Sequence, residues 1–104
     1  MVRIGVDGEH GMDACHTNGR LTGEGRKTVH AGPSDSARVI DEVDGTLLVT
    51  QCETVPGWIG IVYQGEGDPD RDCGLGSNVP GPRPYSGACR SGWVKDSHYE
   101  VVAG

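Results

Sequence analysis

The sequence predicts a small all-β domain centred on a hydrophobic antiparallel hairpin between Thr46 and Tyr63. Two runs rich in Leu, Val and Ile flank the dipeptide Pro56-Gly57. Proline presets φ for one corner of a turn, and glycine accepts a positive φ at the next position. Glycine (18) and proline (6) are frequent for 104 residues, and both disfavour helices. Because the chain has no Phe, the core must depend on aliphatic residues and two tryptophans.

Length, charge and hydropathy exclude several classes of protein. A chain of 104 residues is most simply one domain. The formal net charge is −6 and the nine basic residues are scattered, whereas nucleic-acid binding needs clustered Lys and Arg, so nucleic acid is not an expected partner. No apolar run approaches the ~18–20 residues that span a bilayer. The N-terminus also lacks the apolar segment of a secretory signal.

The segments before the hairpin follow from local patterns. Residues 1–17 are predicted to form an N-terminal arm, which either adds an edge strand or frays. Residues 18–32 contain two short apolar patches separated by glycines, and this predicts a strand, a turn and a second strand. Residues 37–43 fit either a strand or a helical turn. A short strand or an irregular crossing is favoured, because Asp44-Gly45 ends the segment after one or two turns.

After the hairpin, residues 64–92 form a predicted insertion that is rich in glycine and proline. An unstructured loop of this length is uncommon inside a compact domain and indicates a function or a cross-link. A strand is then predicted at Trp93-Val94, followed by a tight connection and a closing strand from Tyr99 to Ala103, where apolar residues alternate along one face. The predicted domain therefore spans residues 18–104.

Four cysteines in a small, glycine-rich domain predict a disulfide framework. Three connectivities are open, and the alternative is four unconnected thiols in a reducing compartment. Cys73 and Cys89 lie at the two ends of the insertion, where a bond would remove about 3 kcal/mol of unfolded-state entropy. That pair is favoured, and Cys15 is left with Cys52 by elimination. Disulfides would place the protein outside the cytoplasm, in a secreted or periplasmic location, although the chain shows no signal peptide of its own.

Four motifs follow one another along the chain: V-H-A-G-P-S, V-I-D-E-V-D-G-T-L-L-V, G-W-I-G-I-V-Y and a final G-W-V followed by tyrosine. In this order they resemble bacterial SH3-like domains. More narrowly, D-C-G followed by P-Y-S-G-A-C-R-S-G-W-V resembles a group of small exported SH3-like proteins of uncharacterised function. Ala88 stands where that group usually has proline. The resemblance covers residues 18–104. It implies a small, partly open β-barrel of about five strands that binds peptides or cell-wall peptide stems without catalysis.

Aromatic residues are the candidate ligand-binding set, because flat amphipathic rings commonly line sites for extended or proline-rich peptides. The set comprises Trp58, Tyr63, Tyr85, Trp93 and Tyr99. The alternative is that both tryptophans are core residues in a domain without phenylalanine, and that the insertion covers the groove.

Other residue patterns predict no enzyme, metal site or cofactor. Asp68–Asp72 has the D-x-D-x-D spacing of calcium loops, but Cys73 replaces the expected glycine and Val79 the expected glutamate, so a solvated loop is favoured. No C-x-x-C or H-x-x-x-H spacing indicates zinc. Cys15 and His16 are sequence neighbours, which does not make a catalytic dyad. No G-x-S-x-G elbow or phosphate-binding loop is present.

The sequence therefore predicts a non-catalytic binding module for peptide-like or cell-wall-derived ligands, on the analogy of fold alone. The alternative is an interaction protein that self-associates through a strand edge or the N-terminal arm. The candidate partners are accordingly a peptide or peptidoglycan-like ligand and a second copy of the chain.

Overall fold

The computed structural model describes residues 2–4, 15, 17–23, 25–43, 47–64, 73 and 83–103. These residues form an all-β structure, as predicted, with one short 3-10 helix at Asp96–His98. The strands are, in chain order, β1 (Arg3–Ile4), β2 (Thr17–Leu21), β3 (Lys27–His30), β4 (Val39–Val43), β5 (Leu48–Val55), β6 (Trp58–Tyr63), β7 (Arg83–Pro84), β8 (Arg90–Lys95) and β9 (Tyr99–Ala103).

Seven strands form one antiparallel sheet in the order β4-β3-β8-β6-β5-β2-β9. The pairing ends at β4 and β9, so the sheet is not closed. β5 and β6 form the central hairpin, and Gly57 in its turn has a φ of +84°, which glycine adopts without steric cost. The predicted hairpin is therefore confirmed. β1 and β7 form a separate two-stranded ribbon.

The remaining strands agree with the predicted segments but differ in pairing and length. β2 and β3 both fall near residues 18–32, yet β2 lies between β5 and β9, while β3 lies between β8 and β4. The ambiguous residues 37–43 contain β4, so of the two favoured alternatives the short strand is the one observed. β8 begins at Arg90, inside the predicted insertion, because Arg90–Gly92 pair with Ile61–Tyr63 on β6. The predicted C-terminal strand is observed as β9, but it lies at an edge of the open sheet and does not close a barrel.

Hydrophobic residues cover both faces of the sheet. All six residues of β6 are buried, because alternate side chains on this central strand enter different clusters. The first cluster contains Leu21, Val29, Val43, Val49, Ile59, Ile61, Tyr63 and Val94, with Leu47 and Tyr99 packed against it. The second contains Val2, Ile4, Cys15, Cys52, Trp58, Val62, Tyr85 and Trp93, with Val55, Cys73 and Cys89 packed against it.

Both predicted disulfides are confirmed. Cys15 is bonded to Cys52 and Cys73 to Cys89, with Cα–Cα separations of 5.0 and 5.1 Å. All four cysteines belong to or pack against the second cluster. The cross-links therefore attach chain segments outside the main sheet to the same face of that sheet, and they are compatible with an oxidising environment.

Two of the patterns weighed in the sequence involve residues outside the described ranges. They are the acidic run Asp68–Asp72, considered as a calcium loop, and His16, the sequence neighbour of Cys15. Within the described ranges there is no helix of the length and apolarity needed to cross a membrane.

Candidate peptide-binding face

The five predicted site residues divide between the two clusters. Trp58, Tyr85 and Trp93 lie in the cluster that contains β1, whereas Tyr63 and Tyr99 lie on the opposite face of the sheet. Four of the five are buried and Tyr99 is half-buried. The structure therefore brings three of the rings together, separates them from the other two, and covers them with residues of the same chain.

We define the aromatic face as the surface of the main sheet that bears Trp58, Val62, Trp93, Glu53 and His30. Cross-strand pairing produces one row of this face, in which His30 is opposite Trp93, Trp93 opposite Gly60 and Gly60 opposite Glu53. A Cβ at Gly60 would lie 3.2 Å from the Trp93 ring and 3.2 Å from the Glu53 Cβ. Glycine at this position therefore leaves the space in which the indole lies across β6 towards Glu53.

His30 supports the second tryptophan of this face. Its ring lies edge-on to Trp58, with 5.2 Å between the ring centroids. The His30 Nδ1 lies 2.9 Å from the Ala37 carbonyl oxygen. Since a carbonyl can only accept, Nδ1 carries a proton. The Nε2 atom lies 3.3 Å from the Thr28 hydroxyl. Both ring nitrogens thus have polar partners, while the ring packs edge-on against Trp58.

Glu53 is the buried charge of the aromatic face, with only 4% of its surface exposed. Its Oε1 accepts the backbone N–H of Arg3 at 3.1 Å. Its Oε2 accepts two hydrogen bonds from the guanidinium group of the same arginine, one from Nε at 2.9 Å and one from Nη2 at 2.5 Å. These hydrogen bonds, and then the charge of Glu53, raise the pKa of Arg3. A buried carboxylate requires such a partner, so this pair attaches β1 to the sheet.

A β-bulge in β5 explains why Glu53 faces the aromatic side. The register shifts between Gln51 and Glu53, which lie opposite Ile61 and Gly60. Regular alternation would send Cys52 and Glu53 to opposite faces. The extra residue of a bulge breaks that alternation, so both side chains reach the same face. Neither Glu53 nor Arg3 was among the predicted site residues, and the one signal for Glu53 is that it is the only charged residue between Thr46 and Tyr63.

The main chain of β1 is held on two sides. On one side the Val2 carbonyl accepts the Tyr85 N–H at 2.9 Å. On the other side Glu53 accepts the Arg3 N–H. The Tyr85 hydroxyl donates to the Cys73 carbonyl at 2.7 Å and accepts the Cys89 N–H at 3.1 Å. Tyr85 thereby links the ribbon to the second disulfide.

The two tyrosines on the opposite face have different surroundings. The Tyr63 hydroxyl donates to Asp41 Oδ2 at 2.8 Å, and Arg90 Nη1 lies 3.0 Å from the same oxygen. Burial, and then the hydrogen bond to Asp41, raises the pKa of Tyr63. Burial acts to raise the pKa of Asp41, but the hydrogen bonds from Tyr63 and Arg90 lower it overall. The Tyr99 hydroxyl is buried without a hydrogen-bond partner among the described residues, and burial raises its pKa to about 12.

This contrast predicts opposite outcomes for two matched substitutions. Tyr63→Phe should lower the free energy of unfolding by about 2 kcal/mol, because it removes a hydrogen bond to a charged, partly buried group. Tyr99→Phe should change it by less than about 0.5 kcal/mol, because the lost hydroxyl has no partner. Urea unfolding at pH 7 measures both values. Equal destabilisation by the two substitutions would contradict the described hydrogen bonding.

The pKa of Tyr99 also predicts an alkaline effect. The ordinary value is 10.0 and the folded value is about 12, so between these values the folded state binds more protons than the unfolded state. The contribution of Tyr99 to stability is therefore complete below pH 10 and is lost as the pH rises towards 12. Tyr99→Phe should remove this part of the loss of stability at alkaline pH. The difference in 295-nm absorbance between wild type and variant during a pH titration reports the ionisation of Tyr99 directly.

Two further observations concern metal ligands and the Trp93 indole. No group of three or more His, Cys, Asp or Glu side chains in these ranges is placed to bind a metal ion. The Trp93 indole N–H has no hydrogen-bond partner within the part of the chain that the structure describes.

No protein-family model, curated protein or solved structure matches this chain.

Proposed function

We propose that this protein is a non-catalytic, SH3-like binding module that takes up an extended, peptide-like ligand on the aromatic face. The observation that supports this proposal is the docking of β1. An extended segment of the same chain, Val2–Ile4, lies against the tryptophan-bearing face and pairs with β7. This intramolecular contact supports the proposal that the face takes up an extended peptide.

The contacts of β1 follow the chemistry of extended-peptide recognition. In that mode main-chain hydrogen bonds supply affinity, and pockets for alternate side chains supply specificity. Here the main chain is bonded by Tyr85 and Glu53. Val2 and Ile4 are both buried, whereas Arg3 between them is exposed. This alternation is the pattern that a strand presents to a surface.

The architecture and the cysteines support the rest of the proposal. An antiparallel sheet with a central hairpin and a C-terminal closing strand is compatible with the partly open barrel that the motif resemblance implies. Two disulfides support an extracytoplasmic location, since such bonds persist in oxidising compartments. The cell-wall peptide stem as ligand rests on the resemblance, and a protein outside the cytoplasm would meet that ligand.

The test is a titration of the ¹⁵N-labelled, oxidised full chain with soluble peptidoglycan fragments and, separately, with short unstructured peptides. We expect shifts at the indole N–H signals of Trp58 and Trp93 and at β5 and β6 amides. The exposed Arg20–Glu100 ion pair, whose atoms lie 2.7 Å apart, supplies reference signals from β2 and β9, which bear none of the residues that define the aromatic face. Shifts confined to β4 or β9, with none at either indole, would overturn the proposal.

The second candidate, self-association through a strand edge, is favoured at β9 by one observation and opposed at β4 by another. Val101 on β9 is 60% exposed. On β4 the Glu42 N–H donates to Asp41 Oδ1 and the Glu42 carbonyl accepts from Arg26. These side chains occupy backbone groups that an added strand would need. Sedimentation over a range of concentrations tests this candidate, and a monomer throughout would exclude it.

A further inference from the structure

We infer that the aromatic face selects an extended aliphatic–arginine–aliphatic segment, and that the chain's own Val2-Arg3-Ile4 occupies this site as an internal ligand. The inference rests on the proposed function and specifies its ligand. It is carried by the contacts of Glu53, by the burial of the two aliphatic residues, and by the limited pairing of β1.

Glu53 is arranged to recognise arginine in one register. One carboxylate oxygen accepts the backbone N–H of Arg3, and the other accepts two guanidinium N–H groups of the same residue. The planar guanidinium provides several donors in a rigid fork, whereas the ammonium of lysine is a single point charge. Because the carboxylate is almost fully buried, a ligand without a cation at this position would leave it unpaired.

The neighbouring aliphatic residues set the rest of the specificity. Val2 is 0% and Ile4 5% exposed, and both belong to the cluster of Trp58, Trp93 and Tyr85. Residues at i and i+2 of an extended segment point to the same side. A polar residue at either position would be buried against indole rings without a partner, at a cost that favours aliphatic side chains.

The attachment of β1 resembles a bound ligand more than a strand of a sheet. Among the described residues β1 is two residues long and pairs with β7, which is also two residues long. Pro84, opposite Arg3, has no N–H to donate. An isolated two-stranded ribbon is marginally stable, so β1 is held mainly by its side chains and by Glu53. An external segment with the same side chains can therefore make the same contacts.

The first disulfide keeps β1 close to the aromatic face, so that β1 would compete with an external ligand. Cys15 is bonded to Cys52 on β5, one residue before Glu53. The bond tethers the N-terminal segment near the face, which gives β1 a high effective concentration there. An external peptide is expected to bind wild type weakly, because it must displace a tethered competitor.

The experiment uses the full oxidised chain carrying Val2→Ser and Ile4→Ser, which removes the aliphatic anchors and keeps both disulfides. The probe is a blocked pentapeptide, Met-Val-Arg-Ile-Gly, and the matched control peptide has Glu in place of Arg. Binding is followed by tryptophan fluorescence and calorimetry. We expect the Arg peptide to bind the double variant at least about tenfold more tightly than wild type, and at least about tenfold more tightly than the Glu peptide.

A Glu53→Gln substitution, added to the double variant, should reduce the preference for the Arg peptide. Circular dichroism and a thiol count establish that each variant is folded and oxidised. If the double variant fails to fold, Arg3→Glu in the otherwise unchanged chain replaces it, because this substitution repels β1 from Glu53 while keeping Val2 and Ile4. The Arg peptide should then bind Arg3→Glu more tightly than wild type.

Equal binding of the Arg and Glu peptides to a folded variant would overturn the inference. Wild-type dimers formed by exchange of β1, without binding of the free peptide, would also overturn it. Binding of peptidoglycan fragments at the indoles, with no binding of either peptide, would remove the arginine specificity and leave the proposed function in place.

Discussion

Replacing Cys15 and Cys52 with alanine should lower the free energy of unfolding by about 4 kcal/mol, and replacing Cys73 and Cys89 by about 3 kcal/mol. The two bonds join residues 37 and 16 positions apart. A longer closed loop restricts the unfolded chain more, which is the reason for the expected order. Equilibrium unfolding in guanidinium, with each double variant compared with oxidised wild type, measures both values.

The two loops do not overlap in sequence, so the losses should add. Their sum of about 7 kcal/mol lies within the total stability range of about 5–15 kcal/mol for small proteins. Wild type treated with a reductant should therefore unfold at much lower denaturant concentration, which provides the control for side effects of the alanines. A double variant that unfolds at the wild-type midpoint would contradict the stabilising role of its bond. The expected dependence of stability on the two disulfides also gives a physical basis for the proposed extracytoplasmic location, because a reducing compartment would remove both bonds.

Trp93→Ala should lower the free energy of unfolding by about 3–5 kcal/mol. The side chain is 2% exposed and lies across Gly60 on the central strand, so truncation leaves a large cavity in the second cluster. Leu48→Ala, at a residue that is 66% exposed, is the matched control and should change stability by less than about 0.5 kcal/mol. Urea unfolding is followed by far-ultraviolet circular dichroism, since this signal does not depend on the removed indole.

The same variant separates a core role of the indole from a ligand-binding role. A small loss of stability together with loss of ligand binding would mean that Trp93 is a surface contact, and the described burial would be contradicted. Trp93→Phe keeps much of the buried ring and should be less destabilising than Trp93→Ala. A graded series from Trp to Phe to Ala is the expected result for a residue of the core.

Several elements could be predicted because their signals are local. Pro56-Gly57 ends one strand and starts the next through φ preferences that no distant contact has to supply. Alternation from Tyr99 to Ala103 identifies β9 in the same way. The pairing of Cys73 with Cys89 followed from their positions at the ends of a loop, and it is observed.

The candidate site could be predicted only in part, because its geometry depends on long-range pairing. Trp58 and Trp93 were identified as aromatic candidates, but their position under β1 results from the register of β6 with β8 and from the attachment of the N-terminus. Glu53 and Arg3 are separated by 50 positions, and no local pattern relates them. The bulge that turns Glu53 to this face also interrupts the period-2 alternation of β5. The sequence pattern therefore does not indicate on which face of the sheet Glu53 lies.

The class of structure, the central hairpin and strand β9 follow from turn chemistry and period-2 alternation, because these act over a few neighbouring residues. The place of β2 between β5 and β9 and the division of the rings between two faces are visible in the folded chain alone. The same holds for the packing of Val2–Ile4 against one of those faces. Each of these outcomes depends on which distant strands meet and in which register, and a shift of one residue would exchange the two faces.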